Sequence, residues 1–338
     1  MTYEEVLQQA KTCMGPYCKA CDVCNGKACG NKMPGPGAKG SGDNAVRNFE
    51  KWSEIRVNMD TLVKKKTPDT SFSIFGKTFR YPIFAGPVGA VNLHYGDKYD
   101  DLAYNDILVR GCAAAGIAAF TGDGSNPKVV EGASKAIANA GGMAIPTIKP
   151  WNIDTFMEKL ALVKQSNAFA MAMDIDGAGL PFLKNMEPPA GAKSVKEMKE
   201  IIQAAGMPFI IKGIMTVEGA KKAREAGADA IVVSNHGGRV LDQCPATAEV
   251  LKEIADEMKG SIKIFVDGGI RNGVTVFKAL AMGADAVIIA RPYVTAVYGG
   301  AEEGIRLYTE KLGAELADTM EMCGAAKLSD ITEKMIRI

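Results

Sequence analysis

The sequence carries no surplus of charge: 40 Lys+Arg stand against 39 Asp+Glu, a formal charge of +1 over 338 residues. That balance removes any general attraction to nucleic acid or to an anionic membrane surface. No apolar run approaches the ~18 residues of a membrane-crossing helix. The first ten residues, MTYEEVLQQA, are acidic and polar, unlike a secretory leader. A cytoplasmic protein is the resulting expectation. Histidine and tryptophan are scarce, two of each, so imidazole chemistry falls to His94 or His236. Trp52 and Trp151 lie outside the motifs below and are expected to pack. Hydrophobic and charged contents of 47% and 23% exclude wholesale disorder.

Glycine is abundant, with 37 residues against a usual share of about 7%, which suggests tight loops around ligands. The cysteines are unevenly placed. Five of eight, Cys13, Cys18, Cys21, Cys24 and Cys29, fall within 17 residues. Such a cluster in a reducing compartment reads as metal or redox chemistry. Its CxxCxxC centre leaves four readings open: an iron–sulfur cluster, zinc on four of the five thiolates, redox-active disulfides, or free thiols. Cys112, Cys244 and Cys323 are expected in the core. With MPGPGAKGSG (33–42) the cluster defines a Cys-rich, Gly/Pro-rich N-terminal segment, 1–45, ahead of a main domain, 46–338.

Residues 46–59 (VRNFEKWSEIRVNM) are amphipathic, and SFSIFGKTFR (71–80) predicts a hairpin turning at Gly76-Lys77. Eight short apolar runs follow: 82–88, 116–122, 142–148, 169–175, 209–213, 230–235, 262–269 and 286–291. Helical stretches separate them, TVEGAKKAREAGA among them. Continuous rather than alternating apolar runs mean burial on both faces, as in parallel sheets. Eight strand–helix units predict an α/β fold, a (β/α)8 TIM barrel. A doubly wound sheet is the alternative, but the first turn, AGPVGAVN, lacks GxGxxG.

Polar residues and glycines stand where the runs end, on the face where barrel enzymes place their chemistry. These are Gly86, Thr121, Asp123, Asp174, Lys212, His236, Arg239, Asp267, Arg271 and Arg291. In Ser234-Asn235-His236-Gly237-Gly238-Arg239, an imidazole titrating near neutrality suits proton abstraction, and an arginine three residues on suits a carboxylate. Lys212 ends a buried run, so its ammonium must meet an anion or reach water. Asp267-Gly268-Gly269-Ile270-Arg271 and Ala290-Arg291-Pro292 pair glycine N–H groups with two arginines after strands seven and eight, where this fold holds phosphate.

SNHGGR–LD, the IKG lysine, DGGIR and the final ARP resemble the FMN-dependent α-hydroxy-acid oxidase/dehydrogenase family, which includes glycolate oxidase, lactate oxidase and mandelate dehydrogenase. The resemblance is strong over about 205–325, weaker but collinear over 41–204, and leaves out the cysteine cluster. It implies FMN as cofactor and oxidation of a 2-hydroxy acid to a 2-oxo acid. It also implies roles for single residues. His236 is the base, Arg239 grips the substrate carboxylate, and Asp174 orients the histidine, with Asp176 as the alternative partner. Lys212 steadies negative charge on the flavin. Gly268, Gly269, Arg271 and Arg291, with Ala290 beside them, hold the FMN phosphate. Ala85, Gly86, Pro87 and Thr121 lie against the ring, with Ser234 close by, and Asp267 holds a ribityl hydroxyl.

The departures are as informative. The family's two substrate tyrosines align with the loop near Pro36 and with Ile148. Its flavin-side glutamine becomes Pro146 or Thr147. Its second substrate arginine is missing from DIDGAGLPFL (174–183). Lys149, Tyr95, His94 and Lys39 are the candidates for the lost contact. Two further readings stay open: a non-redox isomerase resembling type 2 isopentenyl-diphosphate isomerase, which lacks the SNHGGR histidine, and a flavin- or metal-binding redox sensor. A small 2-hydroxy acid, an electron-transfer partner and a homo-oligomer complete the expectations.

Overall fold

In the computed structural model, residues 1–183, 186–187 and 189–338 are described. Eight parallel strands close into a barrel, one from each predicted run. They are β1 (Ile83–Ala85), β2 (Ala118–Thr121), β3 (Ala144–Ile148), β4 (Met171–Asp174), β5 (Phe209–Ile214), β6 (Ala230–Val233), β7 (Lys263–Val266) and β8 (Ala286–Ile289). Strand β8 pairs with β1 through Val287–Ile83, Ile288–Phe84 and Ile289–Ala85 and closes the ring.

The continuous apolar runs resolve into two cores. Phe84, Phe120, Ile145, Ala172, Ile210, Val232, Phe265 and Ile288 point inward and fill the barrel. Their neighbours Ile83, Ala119, Met173, Ile211, Ile231 and Val287 point outward, under the helices. Each strand is therefore buried on both faces, which is why alternation is invisible in the sequence.

The predicted hairpin pairs Phe72–Ile74 with Lys77–Phe79, and its turn falls on Phe75-Gly76, one residue earlier than expected. Both turn residues have positive φ, 49° and 73°, the two-residue geometry that matches strand twist. Ile74 and Phe79 join the barrel interior, and Phe79 meets Phe84 at 5.1 Å between ring centroids. The hairpin thus plugs the N-terminal end and leaves the other end for a site.

The N-terminal segment is not structurally separate from the barrel. Helix Tyr3–Cys13 lies on the closing helix Arg291–Met322, with Tyr3 stacked on Tyr308 at 4.9 Å. A Cβ at Gly299 would stand 2.0 Å from the Val6 carbonyl oxygen. The expected boundary between 45 and 46 falls inside helix Asp43–Glu54. Residues 35–39 run across the barrel mouth, where Lys39 N–H donates to the Gly238 carbonyl (2.9 Å). No helix among the described residues is long and apolar enough to cross a membrane.

Candidate active site

A cavity of about 420 Å³ opens at the C-terminal ends of the strands. Its lining draws together, from the sequence expectations, Pro87, Asp174, Lys212, His236, Arg239, Asp267, Gly268, Gly269, Arg271, Ala290 and Arg291. Ala85, Gly86, Thr121 and Ser234 stand behind that lining. Gly86 packs against Ala290, where an added Cβ would come within 2.9 Å of the alanine Cβ. Ser234 Oγ donates to Asp267 (2.8 Å) and accepts from His236 N–H (3.1 Å).

His236 is held in an unusual backbone state. Its φ is +55°, and Gly237 and Gly238 continue at +64° and +83°, so the chain turns sharply after β6. A side chain at Gly238 would collide with Asn44 Cβ at 2.5 Å, and one at Gly237 would meet Arg291 Nη2 at 2.7 Å. Both glycines are thus space requirements as well as conformational ones.

The acid holding His236 is Asp176, not Asp174. Asp176 Oδ1 lies 2.9 Å from His236 Nδ1, whereas Asp174 Oδ2 is 4.0 Å from Nε2. The reason is local. Strand β4 ends at Asp174, and the 3-10 turn Ile175–Gly179 that follows re-aims the next acid. Asp174 instead pairs with Lys149, and both are buried. Burial alone would raise the Asp176 carboxyl. The facing His236 and Lys212 outweigh it and bring it down to about 2. Burial also pushes the His236 imidazole below its ordinary value, partly countered by Asp176. The ring is therefore neutral at neutral pH, with Nδ1–H donated to a carboxylate and Nε2 left as the acceptor.

Lys212 is buried between Asp267 (3.6 Å) and Asp176 (3.9 Å). Burial opposes its charge, and the two carboxylates, with Asp174, more than restore it, so its pKa lies above the ordinary value. Trp52 and Trp151 do pack, and each also anchors the site. Trp52 Nε1–H donates to the Gly268 carbonyl (2.7 Å), and Trp151 Nε1–H to Asp123 (2.7 Å). Asp123 also accepts from Lys149 N–H (2.9 Å), which fixes the loop after β3.

The cavity accommodates a phosphate-bearing flavin. Gly268 and Gly269 turn at φ +84° and +80° beside Arg271 and Arg291, and a Cβ on Gly269 would overlap the Asn48 carbonyl at 1.8 Å. Thr147 Oγ1 and Asp267 Oδ1 are buried without hydrogen-bond partners among the described residues, atoms that a ligand's polar edge would satisfy. Arg271 Nε donates to the Cys24 carbonyl (2.6 Å), and Arg291 Nη1 to Pro36 (3.4 Å).

The cysteines correct one expectation. Among the described residues, no three thiols bring their sulfurs within 4.8 Å of one another; only Asp174, Asp176 and His236 form such a group. Four thiolates on one zinc would lie about 3.8 Å apart, and in this structure Cys13, Cys18, Cys21, Cys24 and Cys29 are not gathered that closely. Cys13 is turned away, its Sγ on the Tyr298 carbonyl (3.3 Å).

Of the four candidates for the lost contact, Lys149, His94 and Tyr95 enter the lining, while Lys39 Nζ donates to the Gly179 and Val240 carbonyls (3.3 and 3.1 Å). Lys149 follows β3, beyond the expected tyrosine position at Ile148. His94 sits on the short helix Val91–Tyr95 after β1.

Barrel, glycine–arginine cradle and acid-held histidine define a class: barrel enzymes that seat a phosphate-bearing cofactor after strands seven and eight. The family model for FMN-dependent dehydrogenase matches residues 36–185 and 182–338, and the chain belongs to that family. A peroxisomal (S)-2-hydroxyacid oxidase of Arabidopsis thaliana is 43% identical over 144 residues, 43% of this chain and 40% of the relative. A 2-hydroxyacid oxidase of Dictyostelium discoideum is 39% identical over 167 residues, 49% of this chain and 42% of the relative. The chain therefore matches about two-fifths of the length of these curated relatives. A mandelate oxidase variant solved with an FMN adduct superposes with a TM-score of 0.75 at 25% identity, covering 89% of this chain and 93% of that one. Mandelate oxidase with (S)-2-phenylpropionate shares the fold at a TM-score of 0.79 and 23% identity, covering 99% and 97%.

Several relatives are named as peroxisomal oxidases, which overturns the cytoplasmic expectation. Balanced charge and a polar first segment bear on membranes and secretory leaders. They are silent on addresses read by receptors.

Proposed function

We propose that this protein uses FMN to oxidise a 2-hydroxy acid to a 2-oxo acid. The observation that carries the reading is the Asp176–His236 pair at 2.9 Å, because it presents a neutral imidazole Nε2 to the cavity. The reaction removes two electrons and two protons from the substrate. His236 Nε2 takes the hydroxyl proton, and the Asp176 carboxylate stabilises the imidazolium that forms. Bound FMN supplies the two-electron acceptor. Gly268, Gly269, Arg271 and Arg291 would hold its phosphate, Lys212 its electron-rich edge, and the turn at Pro87 its ring. Arg239, deep in the same cavity, receives the substrate carboxylate. Val88, Leu93, Leu180, Phe182 and Leu183 add an apolar wall, which favours an acid with an apolar side chain.

An anaerobic absorbance titration of the purified protein tests the reading. Bleaching of the flavin band near ~450 nm by a 2-hydroxy acid, with one equivalent of 2-oxo acid formed, is the expected result. A band that persists against lactate, glycolate, mandelate and 2-hydroxyisocaproate, yet bleaches with dithionite, would overturn it. The CxxCxxC spacing supports an iron–sulfur reading of Cys18, Cys21, Cys24 and Cys29 as an outlet for single electrons to a partner protein. Acid-labile sulfide in anaerobically purified protein checks that reading.

A further inference from the structure

The carboxylate clamp implied by the sequence is half empty, with one arginine and neither tyrosine. The structure contains another donor. His94 is rigidly placed: Asp101 accepts from Ala90 and Val91 N–H, at 2.9 Å each, at the start of its short helix. At the end of that helix the Tyr298 hydroxyl donates to the Gly96 carbonyl (2.7 Å). The imidazole is buried and lines the cavity.

Its tautomer follows from its neighbour. Gly35 N–H donates to His94 Nδ1 at 2.9 Å. Gly35 N–H and Arg239 Nη2 are both donor-only and a neutral imidazole accepts just one of them; the shorter contact, 2.9 against 3.3 Å, takes the lone pair at Nδ1 and leaves the proton on Nε2. Burial, reinforced by the Arg239 charge, pushes this imidazole down to about 4, so it stays neutral and keeps that single proton at physiological pH. Nε2 in turn lies 3.3 Å from Arg239 Nη2. A guanidinium nitrogen is also donor-only. Two N–H donors facing each other at this distance do not bond to each other; they converge on a shared acceptor. Arg239 Nη1 is already engaged with the Gly35 and Gly37 carbonyls, at 2.6 and 2.9 Å. That leaves the Nη2 edge and His94 Nε2 as the converging pair.

We propose that His94 Nε2–H and Arg239 Nη2–H together grip the substrate carboxylate, one oxygen each, with His94 as the neutral specificity-determining donor that completes the clamp. The proposal rests on the 2-hydroxy-acid reading for the identity of the anion. It also accounts for the loop glycine. A residue at Gly35 would stand 2.8 Å from the Lys32 carbonyl and 2.9 Å from Tyr17 Cβ, with φ at +132°. Only glycine brings that N–H onto the ring without strain.

The test uses the FMN-loaded protein with His94→Phe and His94→Gln. Binding of an unreactive carboxylate, the 2-deoxy analogue of the substrate, is followed by its perturbation of the flavin spectrum. KM and kcat are measured for the 2-hydroxy acid and for its primary amide. His94→Phe is expected to weaken the carboxylate and raise KM for the acid about 10- to 100-fold, the loss of one hydrogen bond to a charged group. KM for the amide and kcat should move less than about threefold, and His94→Gln, which keeps an N–H, should recover most of the loss. Equal losses for acid and amide, unchanged carboxylate binding in His94→Phe, or no recovery in His94→Gln would each overturn the proposal. Should the variants shed flavin, 15N-histidine NMR of the unmutated protein decides, since there are only two histidines to assign. A protonated Nε2 on His94 that shifts with added carboxylate supports the clamp, and a protonated Nδ1 removes it. Flavin that no 2-hydroxy acid reduces, with carboxylate binding still lost in His94→Phe, would sink the functional reading and leave the clamp standing. Reduction by acids with binding unaffected in His94→Phe would do the reverse.

Discussion

His236 Nδ1 and Asp176 Oδ1 sit 2.9 Å apart across 60 positions of sequence, and an absent side chain makes the approach feasible. Gly213 in β5 turns at φ +104°, and a Cβ there would meet Asp176 Cβ and Cγ at 2.5 Å. The glycine of the IKG motif is therefore part of how the acid reaches the base, two strands away.

Asp176→Asn should lower kcat by about 10²- to 10⁴-fold, since an amide neither fixes the tautomer nor stabilises the imidazolium. Asp176 raises the His236 pKa, so its loss also moves the acid limb of kcat/KM to lower pH. A pH profile of flavin reduction reads both effects. An unshifted limb would mean that Asp176 does not face the base in solution.

Gly213→Ala is expected to act on the same pair from a distance. The added methyl must displace Asp176 or unwind the end of β5, at a cost of about 1–3 kcal/mol for the strained φ and overlap. Thermal unfolding and the reduction rate should both fall. A variant with wild-type rate would show that the Asp176 position is not set by this contact.

These relationships show where sequence reading stops. Each of the eight strands was visible because two-sided burial writes an unbroken apolar run, and the strand-end polar residues followed from it. The choice between Asp174 and Asp176 was not legible. It depends on a single 3-10 turn after β4, and alternation along a strand says nothing once the strand has ended. Likewise the Gly35 N–H that faces His94 Nδ1 comes from 59 residues away, a loop contact with no periodicity to announce it. The N-terminal segment misled through its composition, because cysteine and glycine suggested an appendage where the chain in fact crosses the barrel mouth.

Arg291 should decide cofactor retention. It is enclosed beside Gly237, whose missing Cβ leaves room for Nη2. Arg291→Met is expected to weaken FMN binding by about 10- to 100-fold through loss of charge-assisted hydrogen bonds to phosphate. Gly237→Ala should weaken it in the same direction by displacing the guanidinium. Equilibrium dialysis against FMN measures both, and wild-type affinity in Arg291→Met would remove the arginine from the cradle.

His94 should also mark the acid stability of the fold. Its imidazole falls from 6.5 unfolded to about 4 folded, so the unfolded chain binds the proton more readily. Its contribution is complete above the unfolded value and is lost as pH falls through the folded one, on the order of 3 kcal/mol in all. His94→Gln should therefore lose less stability than the wild type on acidification between about pH 6.5 and about pH 4. Urea unfolding at a series of pH values checks this, and parallel curves for the two proteins would count against a neutral, buried His94.

The Lys149–Asp174 pair gives the opposing shift that separates the two acids. Lys149 lowers the His236 pKa, so Lys149→Met should move the acid limb of kcat/KM to higher pH, opposite to Asp176→Asn. Stripping one partner from a buried pair should also cost about 3–5 kcal/mol, because the Asp174 carboxylate is left without its counterion. Asp174→Asn keeps the Asp176 contact with Nδ1, so its kcat loss should be far smaller than that of Asp176→Asn. If Asp174→Asn abolishes flavin reduction while Asp176→Asn does not, the orienting acid is Asp174 after all, and the turn at Ile175–Gly179 adopts another conformation in the working enzyme.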